Sequence, residues 1–387
     1  MLMPEYDALV IGCGLSGAVV ARHIADCGKK VEIWEKRDHI GGNMYDYIDE
    51  FGILVHRYGP HTFHTNDRRI YEYVCRFADW DEYRLMCGAE IDGKCTPTPF
   101  NFQTIDDFYS PQEAAELKNR LQEAFKGKQT ATVLEVLEHS DPLIRGYADF
   151  LFAKDYSLYT AKQWGISPSE IDASVLERVP LRFSYDEGYY DDKYQLMPHT
   201  SFTDFFRNIL QHPNITVKLN IDALEHIFVS NNRILINGLE AEFPVIYTGA
   251  LDELFGCCEG HLPYRSLRFE WKHEETDSKQ KYPVVAYPQA EGYTRITEYK
   301  KLPLQNVRGT SYAIEYPLPY VAEKEHEPYY PVLTAESQRK YEKYLILAEK
   351  VANLYWCGRL ADFKYYNMDQ AISRALDLCD VLNINHK

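Results

Sequence analysis

Long hydrophobic runs are missing from this sequence: nowhere do about 18 uncharged apolar residues follow one another, as a membrane-crossing helix requires. The opening MLMPEYDALVIG carries neither the basic flank nor the long apolar stretch of a secretory signal, which predicts a cytoplasmic protein. Among nine cysteines there is no C-x-x-C, and none stands at zinc-like spacing with histidines, so reduced thiols and no metal are expected. Positive charge is in short supply as well. Forty-two Lys and Arg against 58 Asp and Glu leave a formal net charge of −16, which argues against a nucleic-acid partner, because phosphate backbones need clustered cations. Any anionic substrate must therefore meet a local cationic pocket. Internal repeats and low-complexity tracts are absent too.

What is present suits a globular chain. The 387 residues, 45% hydrophobic and 26% charged, suffice for two or three domains with a large buried core. Thirty-one tyrosines supply flat stacking faces and hydroxyls that bond sugars or phosphates, which hints at a polar, ring-bearing ligand.

YDALVIGCGLSGAVVARHIADCGKKVEIWEK reads as strand, glycine turn, amphipathic helix and second strand, the dinucleotide-binding βαβ unit. Gly12 allows the tight turn, Gly14 lets the backbone approach a pyrophosphate, and Gly17 lets the helix lie close to the strand. Leu15 and Ser16 open that helix, where unpaired N–H groups favour an anion. Glu35, 18 residues past Gly17, is placed to bond ribose hydroxyls, with Lys36 beside it. The following KRDHIGGN, with Arg37, Gly41, Gly42 and Asn43, is similar to the extended fingerprint of the FAD-binding, amine-oxidase-like flavoproteins. In those proteins the last strand and helix return to the first unit, as NLYWCGRLADFKYYNMDQAISRAL does here, with Gly358 and Arg359 after a strand and a helix starting near Met368 or Asp369. No second G-x-G-x-x-G follows a strand, so a dedicated NADPH domain is not expected.

The rest alternates in character. SPQEAAELKNRLQEAFKG predicts a helix with Ser110 as N-cap and Pro111 in its first turn, and TATVLEVLEHS a second helix. Residues 178–194 and 262–330 predict antiparallel strands. The expected fold class is α/β: a Rossmann-like FAD-binding domain with a helical insertion and an antiparallel β-sheet domain. Residues 1–75, 196–255 and 335–387 would form the FAD-binding domain, 76–165 a mostly helical domain, and 166–195 with 256–334 a substrate-binding sheet. In YGPHTFHT, His61 and His64 stand three apart, and the pair alone does not decide between an ordinary polar turn, the commoner case, and metal ligands, a proton-transfer pair or the wall of a cofactor pocket.

VIGCGLSGAVVA, EKRDHIGGN, YGPHTFHT, YTAKQWG, ERVPLRFSYDEGYYDDKYQLMP, YTRITEYK, EPYYP and CGRLADFKYYNMDQAI follow one another in a familiar order. In this the chain resembles the bacterial UDP-galactopyranose mutases over essentially its whole length. The resemblance implies an isomerase that interconverts UDP-galactopyranose and UDP-galactofuranose with no net redox change, using FAD in its reduced form. N5 of the flavin would attack the anomeric carbon as UDP departs, and the product would supply galactofuranose for surface polysaccharide. A homodimer is likewise implied.

By the same resemblance Arg178 and Arg295 are the diphosphate arginines, since a guanidinium fork matches phosphate oxygens. Trp164 opens the lid segment, and Tyr159, Tyr189, Tyr365 and either Tyr329 or Tyr330 contact the nucleotide or diphosphate. Asn367 stands where several family members carry aspartate, so it keeps a hydrogen-bonding role without general acid–base chemistry. Arg359 favours the anionic reduced flavin. His61 becomes a wall of the flavin pocket and a candidate for proton transfer, and His64 faces the sugar. Other nucleotide sugars, UDP-N-acetylgalactosamine, UDP-arabinopyranose or dTDP-fucose, fit a slightly altered pocket, and an amine-oxidase-like flavin oxidase is the reading from another class.

Overall fold

A computed structural model describes residues 5–164, 179–321 and 326–382. The chain opens with strand Ala8–Ile11, helix Leu15–Asp26 and strand Val31–Trp34. All four residues of each strand are buried, the pattern of a parallel sheet covered on both faces. That sheet runs in the order Ile215–Lys218, Val31–Trp34, Ala8–Ile11, Val245–Tyr247, Leu354–Trp356, every neighbouring pair parallel. The last strand feeds helix Met368–Val381, whose Ile372 and Ala375 share one core with Ala18, Val19 and Ala21 of the first helix. The tail of the chain is thereby folded onto its head, as the Rossmann-like α/β fold requires.

A second sheet has seven strands: Tyr330–Pro331, Tyr264–Glu274, Thr310–Pro319, Arg295–Glu298, Val284–Ala286, Cys87–Ile91 and Lys94–Thr98. All pairs are antiparallel except Val284–Ala286 with Cys87–Ile91. Against the second sheet packs a group of helices that includes Pro111–Ala124, Val133–Leu137 and Pro142–Leu151, whose Leu117, Val133 and Ile144 share a core with Ala89 and Ile91, followed by Ser157–Trp164. Ser110 caps the first of these through the N–H of Glu113, and Thr132 caps the second through Glu135.

Two expectations change here. The stretch 76–165 carries a hairpin as well as helices, turned at Asp92 and Gly93 with φ of 48° and 80°, the left-handed pair that a type I′ turn demands. Of the expected strands in 178–194, only Leu181–Arg182 forms before Tyr194 among the described residues, pairing with Thr130–Ala131. The side chain of Asp186 ties that region into a turn instead, accepting from Gly188 N and from Arg84.

Candidate active site

One cavity of about 1180 Å³ runs from the first glycine turn to the second sheet. It exceeds the roughly 300–1,000 Å³ usual for a single small ligand, which suits a dinucleotide with a second ligand beside it. At its first end Gly12 has φ +98°, and a Cβ there would stand 2.2 Å from Thr248 Oγ1. A Cβ at Gly17 would lie 2.0 Å from the Gly12 carbonyl oxygen, so the helix can sit this close to the strand only with glycine. At Gly14 the nearest atom to an added Cβ is Gly42 Cα at 3.8 Å, leaving the backbone open toward the cavity. These residues fit a pyrophosphate lying over the helix N-terminus.

Glu35 closes this end. Its carboxylate accepts from Cys13 N at 2.7 Å and Arg37 N at 3.0 Å, and it lines the cavity with further lone pairs for ligand hydroxyls. Arg37 donates to Asn43 Oδ1 at 2.8 Å and to Glu327 Oε2 at 2.6 Å. Burial alone would lower the Arg37 pKa, but the Glu327 carboxylate more than reverses that and holds it raised.

The histidines occupy the middle. His61 Nδ1 lies 2.9 Å from Gly59 O, and since a carbonyl only accepts, Nδ1 carries the proton and Nε2 is left as an acceptor. The backbone N–H of His61 donates to His56 Nδ1 at 3.0 Å. Burial first, then His56 and Arg359, push the His61 pKa down to about 3. The ring is therefore neutral at physiological pH and offers no proton from an imidazolium. His64 stacks on Tyr190 with centroids 3.6 Å apart and places Nδ1 2.9 Å from Asp192 Oδ2. Among the described residues no metal-ligand group includes either histidine.

At the far end, Tyr330 and Tyr365 stack 4.6 Å apart, with the Arg359 guanidinium 4.4 Å and that of Arg265 5.3 Å from the Tyr330 ring. Arg295 lines the same space, its Nε 2.7 Å from the buried Glu315 carboxylate. Burial would raise the Tyr330 phenol, yet Arg359 and Arg295 bring it below its ordinary value. This is the cationic pocket that an acidic chain needs for an anionic substrate. Tyr159 stands on helix Ser157–Trp164, which is held down by Lys162 donating to the carbonyls of Tyr287, Ala290 and Tyr293. Arg265 donates to Gln163 O at 3.0 Å and so ties the end of that helix to the guanidinium cluster.

A family model for UDP-galactopyranose mutase matches residues 154–365, more than half of the chain. The chain belongs to this mutase family. A model for an NAD(P)-binding Rossmann-like domain also matches, over residues 10–77. UDP-galactopyranose mutase of Mycoplasma pneumoniae is 34% identical, over 96% of this chain and 95% of the relative. A dTDP-fucopyranose mutase of Escherichia coli is 35% identical, over 98% and 99%. Among solved structures, a reduced UDP-galactopyranose mutase shares the fold with a TM-score of 0.71 at 16% identity, covering 100% of this chain and 95% of that one.

With the mutase family established, the position of each expected site residue can be stated. Gly12, Gly14, Leu15, Ser16, Gly17, Glu35, Lys36, Gly42 and Asn43 line one cavity together with Gly358, Arg359 and Met368. His61, His64, Tyr159, Tyr189, Arg295, Tyr330, Tyr365 and Asn367 line it too. Tyr329 does not; next to Tyr330 on an extended segment it points the other way, buried near Phe269. Asp369 is also outside the lining, its carboxylate accepting from Thr65 Oγ1 at 3.0 Å. Arg178 and the expected lid fall outside the described residues, as does the side chain of Trp164.

Sequence reading missed Arg265 and Asp155. The signal for Arg265 was an arginine in phase with Leu267, Phe269 and Trp271, on the apolar side of the alternating stretch YRSLRFEW. Asp155 lies in the π-helical turn Phe152–Tyr156, and that kind of insertion recurs at functional sites. Burial pushes its carboxyl up to about 7 where it lines the cavity.

Proposed function

We propose that this protein is an FAD-dependent UDP-galactopyranose mutase, interconverting the six- and five-membered ring forms of UDP-galactose. The observation that carries the reading is the convergence of Arg295 and Arg359 on the stacked Tyr330 and Tyr365, in the cavity that begins at the dinucleotide cradle, with Arg265 beside the Tyr330 ring in a small adjoining pocket. Reduced FAD, when bound, supplies a nucleophilic nitrogen and is regenerated, so turnover consumes no reductant. The glycine turn and Glu35 hold the cofactor. Arg295, with Arg178 from outside the described segments, draws negative charge onto the departing diphosphate, and Tyr330 and Tyr365 orient it. His61, neutral with a bare Nε2, accepts a hydrogen bond from the cofactor or sugar without changing charge.

Identity to a dTDP-fucopyranose mutase, 35%, falls within the 34–36% found for the galactose enzymes, which favours dTDP-fucose as the second substrate to test. Among the described residues no helix is long and apolar enough to cross a membrane. A cytoplasmic homodimer that feeds furanose units to surface polysaccharide completes the proposal, on the family resemblance alone.

The test incubates purified protein with UDP-galactofuranose and with UDP-galactopyranose, each with and without dithionite, and separates the isomers by chromatography. Interconversion only after reduction is expected. Conversion of dTDP-fucose but not UDP-galactose would move the substrate assignment, and oxygen consumption without isomerisation would sink the mutase reading.

A further inference from the structure

At the edge of the cavity near Gly249 and Glu253, the wall is the turn that follows the short helix Leu251–Leu254. We propose that Asp252 of this helix, with Cys257 and His261 from the turn after it, forms a binding site for a zinc-class divalent cation, through one carboxylate oxygen, one thiolate and one imidazole nitrogen. One ligand atom from each lies within 4.8 Å of the others. Cys257 Sγ and His261 Nδ1 are 3.3 Å apart. Bonds of about 2.3 Å to sulfur and 2.0 Å to nitrogen at a tetrahedral ion separate such atoms by about 3.5 Å, so this pair already stands at coordination distance.

Asp252 adds an independent observation. Its residue is only 2% exposed, its Oδ2 accepts from Leu262 N at 2.8 Å, and its Oδ1 is buried with no hydrogen-bond partner among the described residues. A buried carboxylate oxygen without a donor is what a cation would satisfy. The backbone already holds the set together: Cys257 N donates to Asp252 O at 2.7 Å, and Cys257 sits at φ +54° between them. Glu253 on the same segment adds negative charge that favours a cation, whereas Glu259 is already paired with Lys343 at 2.8 Å.

The donor set selects the ion. Magnesium and calcium take oxygen ligands, whereas mixed sulfur, nitrogen and oxygen suit zinc. Three protein ligands leave a fourth position for water or an outside ligand. Binding converts the Cys257 thiol to a thiolate and releases its proton to solvent. Nothing in this site depends on the mutase reading, which could fail while the cation still binds.

Full-length, FAD-loaded protein is stripped with a chelator, dialysed and titrated with Zn²⁺ against a chromophoric chelator, and X-ray absorption at the zinc edge then reads the ligands. Expected are one zinc per chain and a single sulfur at about 2.3 Å. Asp252→Asn, Cys257→Ser and His261→Gln should each weaken binding at least ~10-fold, with Cys258→Ser unchanged. His261 is exposed, so its variant keeps the test valid if a core substitution fails to fold; retained flavin absorbance checks this. Absence of stoichiometric binding, a zinc shell without sulfur, or binding indifferent to both Cys257→Ser and His261→Gln would overturn the proposal.

Discussion

Two stacked tyrosines are surrounded by guanidinium groups: Arg295 is held by the Glu315 carboxylate, and Arg359 and Arg265 lie against the Tyr330 ring. Such an arrangement gains from an incoming diphosphate. Arg265 also donates to Gln163 O, so removing it takes away charge and the anchor of the Tyr159 helix together. Arg265→Ala is expected to weaken UDP binding by about 10- to 100-fold, the loss of a hydrogen bond to a charged group, while the bound FAD spectrum is retained. Arg265→Lys should fall between, because the charge survives and the planar fork does not. Calorimetric titration of the FAD-loaded protein with UDP decides it; unchanged affinity in Arg265→Ala would remove this residue from the anion site. At this scale legibility was uneven. Arg295 was readable because YTRITEYK is a contiguous motif, whereas Arg265 sits alone in a strand and becomes visible only when distant segments bring Tyr330 and Tyr365 to it. Neighbours such as Tyr329 and Tyr330 could not be told apart either, since strand phase decides which one faces the cavity.

Elements held by local signals were the readable ones. The glycine turn, its helix and the acid at the end of the second strand lie within one short segment, and the helix caps at Ser110 and Thr132 are likewise local. The hairpin at Asp92 and Gly93 had its own signal, an Asp-Gly pair between extended segments, which the helical character of its surroundings masked. By contrast, the pairing of Val284–Ala286 with Cys87–Ile91 joins segments far apart in the chain, and no periodicity announces it. The spacing between helix and strand is the feature on which the cofactor end depends most. A Cβ at Gly17 meets Gly12 O at 2.0 Å and Val10 Cγ1 at 3.2 Å, backbone and core that cannot rotate away. Gly17→Ala is therefore expected to push the helix off the sheet, so that the purified protein loses most of its 450-nm flavin absorbance by a factor of about ten, a penalty in the range of overpacked cores. Full flavin content in that variant would show that the cradle tolerates a wider turn.

Across the whole molecule, a formal charge of −16 coexists with a cationic pocket because the arginines are gathered where the two sheets face one cavity. His56 stands at that junction. Its ring lies 5.7 Å from Phe202, in the core of the Rossmann-like sheet, and 5.5 Å from Tyr299, in the core of the second sheet, and it is 0% exposed. Burial pushes its pKa down to about 3, and the same burial acts on His61, which donates its N–H to the His56 ring. In the unfolded chain both return to about 6.5, so between these values the unfolded state binds more protons than the folded one. Stability from keeping them neutral is thus complete above about pH 6.5 and is lost as the pH falls toward 3. Each histidine contributes a slope of up to about 1.4 kcal/mol per pH unit in that window. Thermal unfolding of the FAD-loaded protein is expected to move to lower temperature between pH 7 and pH 5, before most carboxylates titrate. His56→Asn keeps an acceptor for His61 N and removes one titrating ring, so its midpoint should depend less steeply on pH over the same range. Equal slopes in parent and variant would place the acid sensitivity elsewhere and leave His56 as packing alone between the two sheets.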